Sequence, residues 1–252
     1  MKILLSPAKL MSMESSGKWV KTGKPKFLDQ SEILMYKLKT LKTKDLEKLM
    51  SISPSLAEIN KIRNEVWHTK PKSKESLQAI LAFQGEAYRG LSAEQLDENA
   101  QEYLNENLFI LSGLYGILSP KDRIMPYRLE MGSKFAVENH KNLYEFWKED
   151  LTRFVNSKLK KNEILLNLAS DEYAKAIDDK KLKSPKINVK FLDFKNGQLK
   201  PIMAYFKNAR GAMTKYCAKN NITDLEGIKH FNEGHYAFDE KLSSEKELVF
   251  VR

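Results

Sequence analysis

The apolar positions fall into two rhythms, one of three- and four-residue spacing and one of short unbroken runs, and their order predicts the elements. Lys2 to Leu5 reads as a short buried strand, with Ser6-Pro7-Ala8-Lys9 as its exit loop. Residues 14 to 27 carry Lys18, Lys21, Lys24 and Lys26, with no acid after Glu14, and read as a basic surface loop. Ser31 to Leu41 is helical by pattern, with Ile33, Leu34, Leu38 and Leu41 on one face. Two short helices follow, at Lys44–Ser51 and Pro54–His68. Leu46, Leu49 and Met50 form one apolar stripe, and Leu56, Ile59, Ile62 and Val66 form another. The linking "SISPS" lets Ser53 cap the second helix, with Pro54 at its first position.

Ser76 to Phe83 looks helical, and "FQGEAYRGL" reads as a turn segment. Ser92 starts a further helix, with Gln95 completing a capping box. Leu108 to Leu111 reads as a buried strand entering a Gly-rich turn, and "KDRIMPYRLEMG" as an irregular loop. Asn142 to Lys160 is an amphipathic helix with Leu143, Trp147, Leu151 and Val155 on its apolar side. Ile164 to Leu168 is a strand that stops at Ser170-Asp171-Glu172-Tyr173. Asp178 to Lys190 is Lys-rich surface. Val189–Phe194 and Leu199–Tyr205 pair across Asn196-Gly197, a hairpin signal. A helix over about 208–219 and two strands around Tyr236–Phe238 and Leu248–Val251 complete a mixed α/β chain. It reads as one compact domain over 1–252.

Composition narrows the function classes. The 252 residues include 42% hydrophobic and 10% aromatic side chains, ordinary for a folded protein. No apolar run is long enough for a membrane span, and the N-terminus lacks a signal-peptide pattern. The single Cys217 excludes an intramolecular disulfide and a CxxC metal site, so a reducing, cytoplasmic address is expected. His68, His140, His230 and His235 show no metal-ligand spacing, and neither a metal nor another cofactor is expected. A net charge of +10 suits a polyanionic partner, yet 36 lysines against 7 arginines is also what an AT-rich coding bias produces. The arginines therefore carry more information, because their planar fork grips carboxylates and phosphates. Arg89, Arg123, Arg128 and Arg210 lie in or beside Gly- or Pro-punctuated segments, and Arg63 lies on a helix, whereas Arg153 and Arg252 look incidental.

Four segments could carry chemistry. The element at 44–68 resembles a helix-hairpin-helix, which offers backbone N–H groups to a DNA phosphate, with Lys48, Ser51, Ser53, Lys61 and Arg63 in or near it. Its turn lacks the usual glycine, and an ordinary packed helix pair fits equally. "LSGLYGILSPKDRIMPYRLEMG" brings Arg123, Arg128 and Glu130 onto a Pro-restricted loop, either as a structural clamp or as an anion site. "FKNARGAMTKY" places Lys207, Arg210 and Thr214 on one helical stripe beside Asn208. Lys9 at a strand end is a candidate amine or anion holder, and Ser170 or Asp171 can cap the helix that follows.

"LLSPAK" at 4–9, "LSGLYGILSP" at 111–120, "PYRLEMG" at 126–132, "NLASDEY" at 167–173, "NARG" at 208–211 and the closing "ELVFVR" together resemble the YaaA family of peroxide stress proteins, in order and over essentially the whole chain. The resemblance implies a single unusual α/β fold with a helix-hairpin-helix element and a basic cleft. It also implies a cytoplasmic bacterial protein that binds duplex or partly unpaired DNA and serves survival of hydrogen peroxide by keeping free iron low. It carries no established reaction. The matching positions are Ser6, Lys9, Arg128, Glu130, Ser170, Asp171, Glu172, Asn208 and Arg210, and His235 stands where the family pattern has tyrosine.

Two expectations follow. A monomeric DNA-binding protein would use Lys9, Lys48, Ser51, Ser53, Lys61, Arg63, Arg123, Arg128, Lys207, Asn208 and Arg210 on phosphates, with Tyr115, Tyr127 and Tyr173 stacking on unpaired bases. A nucleic-acid- or nucleotide-processing enzyme would instead use Lys9, Glu130, Asp171 and Glu172 for acid–base work between arginine clamps.

Overall fold

The computed structural model describes residues 1–15 and 17–252. In chain order the first part comprises β1 (Lys2–Leu5), β2 (Leu10–Met11), α1 (Leu28–Thr40), α2 (Thr43–Met50), α3 (Pro54–Val66), β3 (Leu77–Gln78), α4 (Ala79–Ala82) and β4 (Phe83–Gln84). The middle holds α5 (Glu86–Leu91), α6 (Glu98–Asn107), β5 (Leu108–Ser112), β6 (Gly116–Leu118), β7 (Arg123–Ile124) and α7 (Leu143–Lys158). The last part holds β8 (Leu165–Leu168), α8 (Asp171–Ala174), β9 (Lys186–Lys195), β10 (Gln198–Lys200), α9 (Met203–Lys219), α10 (Leu225–Lys229), β11 (Ala237–Ser244) and β12 (Glu247–Val251).

An eight-stranded sheet organises these elements, in the order β11-β12-β9-β8-β1-β5-β6, with β10 paired to β9. Five neighbours, β12, β9, β8, β1 and β5, run parallel. β6, β10 and β11 join antiparallel to β5, β9 and β12. The central strands explain their own sequences: "KILL", "LFILS" and "LLNL" are almost wholly buried runs, as parallel strands covered on both faces require. From β1 the chain adds β5 on one side and then crosses to add β8, β9 and β12 on the other. The reversal falls between β1 and β8, and in open α/β sheets the crevice outside the carboxyl ends of such strands is where ligands bind.

Several expectations change. The Ser76–Phe83 segment is not one helix but β3, the single turn α4, and β4. "FQGEAYRGL" is no turn: it holds helix α5, with Gly85 at its N-terminus, and its second glycine, Gly90, serves packing. A Cβ at Gly90 would stand 2.1 Å from the carbonyl oxygen of Asn208, and one at Gly211 only 1.7 Å from that of Ala87, so α5 and α9 cross backbone to backbone. Ser92 caps nothing. It takes a left-handed conformation and donates to the Arg89 carbonyl, and Asp97 caps α6 through the Ala100 N–H at 2.8 Å. The strand expected over Leu199–Tyr205 ends at Lys200, because α9 starts at Met203. The segment read as a basic surface loop also buries side chains: Trp19 and Phe27 are in the core, and the Trp19 indole donates to Asn105 Oδ1 at 2.9 Å.

The helix pair α2–α3 forms as its sequence suggests, with Ser53 Oγ accepting the Leu56 N–H at 3.4 Å. Ser51 takes the left-handed conformation (φ 50°) that glycine usually supplies after a helix. The apolar stripe of α3 is the surprise. Leu56, Ile59, Ile62 and Val66 are exposed, while Ala57, Asn60 and Asn64 are buried.

Candidate functional site

Strands β1, β5 and β8 each end in a serine or a short polar step, and these ends meet. The Ser170 N–H donates to Ser6 Oγ at 2.9 Å, and the Ser6 hydroxyl faces Ser170 Oγ at 3.3 Å, tying β8 to β1 across the strand reversal. The turn into Ser170 is set by Asn167, which accepts the Ala169 N–H at 3.0 Å and donates to Asn188 on β9 at 2.8 Å. Tyr88 of α5 donates to the Ser6 carbonyl at 3.0 Å and packs on Phe83.

The Arg-bearing loop is clasped onto β5. A Cβ at Gly113 would meet the Leu129 carbonyl at 2.1 Å, so only glycine admits the loop. Ser112 Oγ pairs with the Tyr127 hydroxyl at 2.6 Å and accepts the Tyr115 N–H at 2.9 Å. This seating delivers Arg128 and Glu130 to the strand ends. Glu130 Oε1 accepts Arg128 Nε and Nη2 at 3.1 and 3.0 Å and lies 3.5 Å from Lys9 Nζ. Lys9 is two-thirds exposed, whereas the Glu130 carboxylate is mostly buried.

Arg63 reaches this cluster from α3. Burial lowers its pKa, and the neighbouring positive charge of Arg128 lowers it further. No hydrogen bond or ion pair engages the Arg63 side chain among the described residues. Three cations, Lys9, Arg63 and Arg128, therefore gather here with one carboxylate, Glu130, which pairs with Lys9 and Arg128. Arg210 approaches from α9, its guanidinium 5.0 Å from the centre of the Phe206 ring. Its Nε is buried with no partner among the described residues. Burial lowers its pKa, and the Asp171 carboxylate works against that shift. Glu172 is committed elsewhere, accepting the Gly132 N–H at 2.9 Å.

Other expected site residues part company with this cluster. Arg123 is a clamp: it donates to the carbonyls of Ser73 and Ser76, and to Ser76 Oγ at 3.1 Å. Lys61 donates to the Lys39 carbonyl at 2.7 Å, tying α3 to α1, and lies 3.5 Å from Glu65. Lys48, Ser51 and Ser53 stay on the surface of the helix pair, and Lys207 is exposed on α9. Asn208 donates to the Glu86 carbonyl at 3.4 Å, within the α5–α9 contact. The three tyrosines chosen for stacking are all buried, and burial pushes their hydroxyls up. Tyr115 accepts the Trp67 indole N–H at 2.8 Å, so its ring is part of the core. A base cannot stack on rings placed there.

Arg252 is not incidental. Its Nε and Nη2 reach Asp193 Oδ1 at 2.7 and 2.6 Å, its guanidinium lies 4.1 Å from the Tyr205 ring centre, and Tyr236 donates to Asp193 Oδ2 at 2.9 Å. It lines a cavity of about 390 Å³ with Arg89, Tyr205, Asn208 and Lys215. The only signal in the sequence was an arginine in a lysine-rich chain. Among the described residues no group of three or more His, Cys, Asp or Glu side chains could hold a metal ion, and no helix is long and apolar enough to cross a membrane.

The segments that meet at the β1–β8 reversal are "LLSPAK", "PYRLEMG", "NLASDEY" and "NARG". The family described as peroxide stress protein YaaA matches residues 1–242. The chain belongs to that family. A UPF0246 protein of Flavobacterium psychrophilum is 44% identical over 252 residues, all of both chains. One of Flavobacterium johnsoniae is 42% identical over the same length, and one of Neisseria gonorrhoeae is 43% identical over 251 residues, covering 99% of this chain and 97% of its own. Membership in the YaaA family thus spans the whole chain, cluster and helix pair included.

Proposed function

We propose that this YaaA-family chain serves the peroxide stress response by binding DNA through its phosphates, and so limits iron-driven damage to it. The observation that carries the reading is Arg63, half-buried on α3, without a hydrogen-bond or ion-pair partner among the described residues, and near enough to Arg128 to feel its charge. Like charges held together at half-buried positions cost free energy, and an anion between them recovers it. Arg63 belongs to α3, so a phosphate there would also bring the backbone to the α2–α3 pair, which then acts as the helix-hairpin-helix. Lys9 and Arg210 extend the cationic path along the strand ends. With Tyr115, Tyr127 and Tyr173 buried, the reading needs no base stacking and predicts little sequence preference.

The test is fluorescence anisotropy on duplex, bubble and single-stranded DNA across a salt series. Arg63→Ala and Arg128→Ala should each weaken binding on all three and flatten the salt slope by about one phosphate contact. Binding that ignores salt, or variants indistinguishable from the parent, would refute the reading.

The Lys9–Glu130 pair at a strand end supports a second reading, an enzyme acting on nucleotides or nucleic acid. In it Glu130, mostly buried, is the acid–base group and the arginines hold phosphate. Turnover of a modified DNA or nucleotide that Glu130→Gln abolishes would favour this reading over the first.

A further inference from the structure

A cavity of about 520 Å³ lies away from the strand-reversal cluster, between the loop at 22–25, the segment at 68–71 and β7. Every ionisable side chain of the carboxylate or base type that lines it is a base: Lys24, His68, Lys70 and Arg123. Two acids stand beside lining residues without lining the cavity themselves. Glu75 Oε2 takes the Lys72 N–H at 2.7 Å and faces His68 Nε2 at 3.6 Å from outside the lining. Asp122 is buried and accepts the Ser119 N–H at 2.8 Å. Arg123 spends its donors on neutral groups, the carbonyls of Ser73 and Ser76 and Ser76 Oγ, and has no carboxylate partner among the described residues. Lys24 and Lys70 have no carboxylate partner among the described residues.

The walls are fixed. The Gly23 N–H donates to the Lys121 carbonyl at 2.8 Å, and the Arg123 N–H donates to the Gly23 carbonyl at 3.1 Å, so the basic loop is stitched to β7. Pro25, Leu28 and Pro71 add an apolar surface, and Thr22 and Thr69 add hydroxyls. Cationic, hydroxyl and apolar side chains around one cavity suit an organic body bearing phosphate. The volume lies within the range of small-molecule sites, roughly 300–1,000 Å³.

We propose that this cavity is a second anion site, which binds a phosphorylated small molecule of nucleotide size. Lys24 and Lys70 hold the phosphates from two walls, Arg123 supplies a fixed charge, and the apolar side chains receive the uncharged part. The site shares no residue with Arg63, Arg128 or Arg210, so it stands or falls apart from the DNA reading.

Isothermal titration of the full chain at low salt with ADP, pyrophosphate and adenosine tests it. ADP should bind one per chain, pyrophosphate more weakly, and adenosine not detectably. The Lys24→Glu/Lys70→Glu double variant, which leaves the Arg123 clamp intact, should weaken ADP about tenfold or more, as loss of charge-assisted contacts predicts. Arg63→Ala/Arg128→Ala should leave ADP affinity unchanged. The same proteins on duplex DNA by anisotropy separate the two sources of phosphate. No ADP binding, or ADP binding that survives the double charge reversal, overturns the proposal. So does an outcome in which the reversal abolishes DNA binding while the parent takes no ADP, which would make the cavity part of the DNA path.

Discussion

Ser6 Oγ accepts the Ser170 N–H at 2.9 Å, joining residues 164 positions apart at the point where the sheet changes its direction of growth. The bond is half-buried and belongs to both strand ends, so it fixes the spacing on which Lys9 and Asp171 depend. Ser6→Ala leaves the Ser170 N–H without its acceptor, and stability should fall by about 1–3 kcal/mol in urea unfolding. Ser6→Thr keeps the oxygen and should recover part of the loss.

Glu130 is the one carboxylate shared by Lys9 and Arg128. Replacing it with glutamine raises the local positive charge by one. If the cluster binds phosphate, Glu130→Gln should bind duplex DNA more tightly at low salt and with a steeper salt dependence. Weaker binding in that variant would mean that Glu130 orients Arg128 rather than opposing it.

The crossing of α5 and α9 has no room for a methyl group. Gly211→Ala would put a Cβ 1.7 Å from the Ala87 carbonyl oxygen, and the helices must separate. A loss of about 2–3 kcal/mol or more is expected on denaturant unfolding. Arg210, the adjacent residue, should move with its helix, so DNA affinity should fall in protein that remains folded. Gly197→Ala, in the open β9–β10 turn, is the comparison: nothing lies within 4 Å of its Cβ position, and only the positive φ is at stake.

Asp122 is a buried carboxyl whose pKa burial raises to about 7, against the opposing hydrogen bond from Ser119. The folded protein therefore holds a proton on Asp122 that the unfolded chain releases near pH 4. Its stabilising contribution is complete below that value and is lost as pH rises toward about 7. Asp122→Asn keeps an acceptor for Ser119, removes the titration and should flatten stability against pH between about 4 and 7. A parent whose stability follows the same pH curve as Asp122→Asn across that window would show Asp122 ionised throughout.

The parallel strands were legible because burial on both faces writes them as unbroken apolar runs, and the hairpin was legible from Asn196-Gly197. The helix α3 misleads for a physical reason. Leu56, Ile59, Ile62 and Val66 make a regular apolar stripe, but the structure turns Ala57, Asn60 and Asn64 inward, where small side chains let α3 pack. The α5 segment was unreadable because its glycine answers α9, more than a hundred residues away, rather than a local turn. The candidate site was half legible. Lys9, Arg128, Glu130 and Asp171 stand out as charged residues at element ends, but the meeting of Arg63 with Arg128 exists only in three dimensions. The tyrosines were misread because their aromatic character looks the same in a core as on a surface. Asp97 and Ser92 show the same ambiguity on a smaller scale, since both side chains can cap a helix N-terminus and only that of Asp97 does.

β1 is made long before its neighbours: Ile3 pairs with Leu108 and with Leu166. During synthesis an apolar strand with two open edges must wait for more than a hundred residues before either edge is covered, a separation that slows folding and exposes the chain to aggregation. A chain cut short before residue 165 would keep Lys9, Arg63 and Arg128 and still lack the strand that closes β1. The cluster of Lys9, Arg63, Arg128 and Glu130 is thus assembled only in the finished protein, and a truncated chain would leave a strand edge of β1 open.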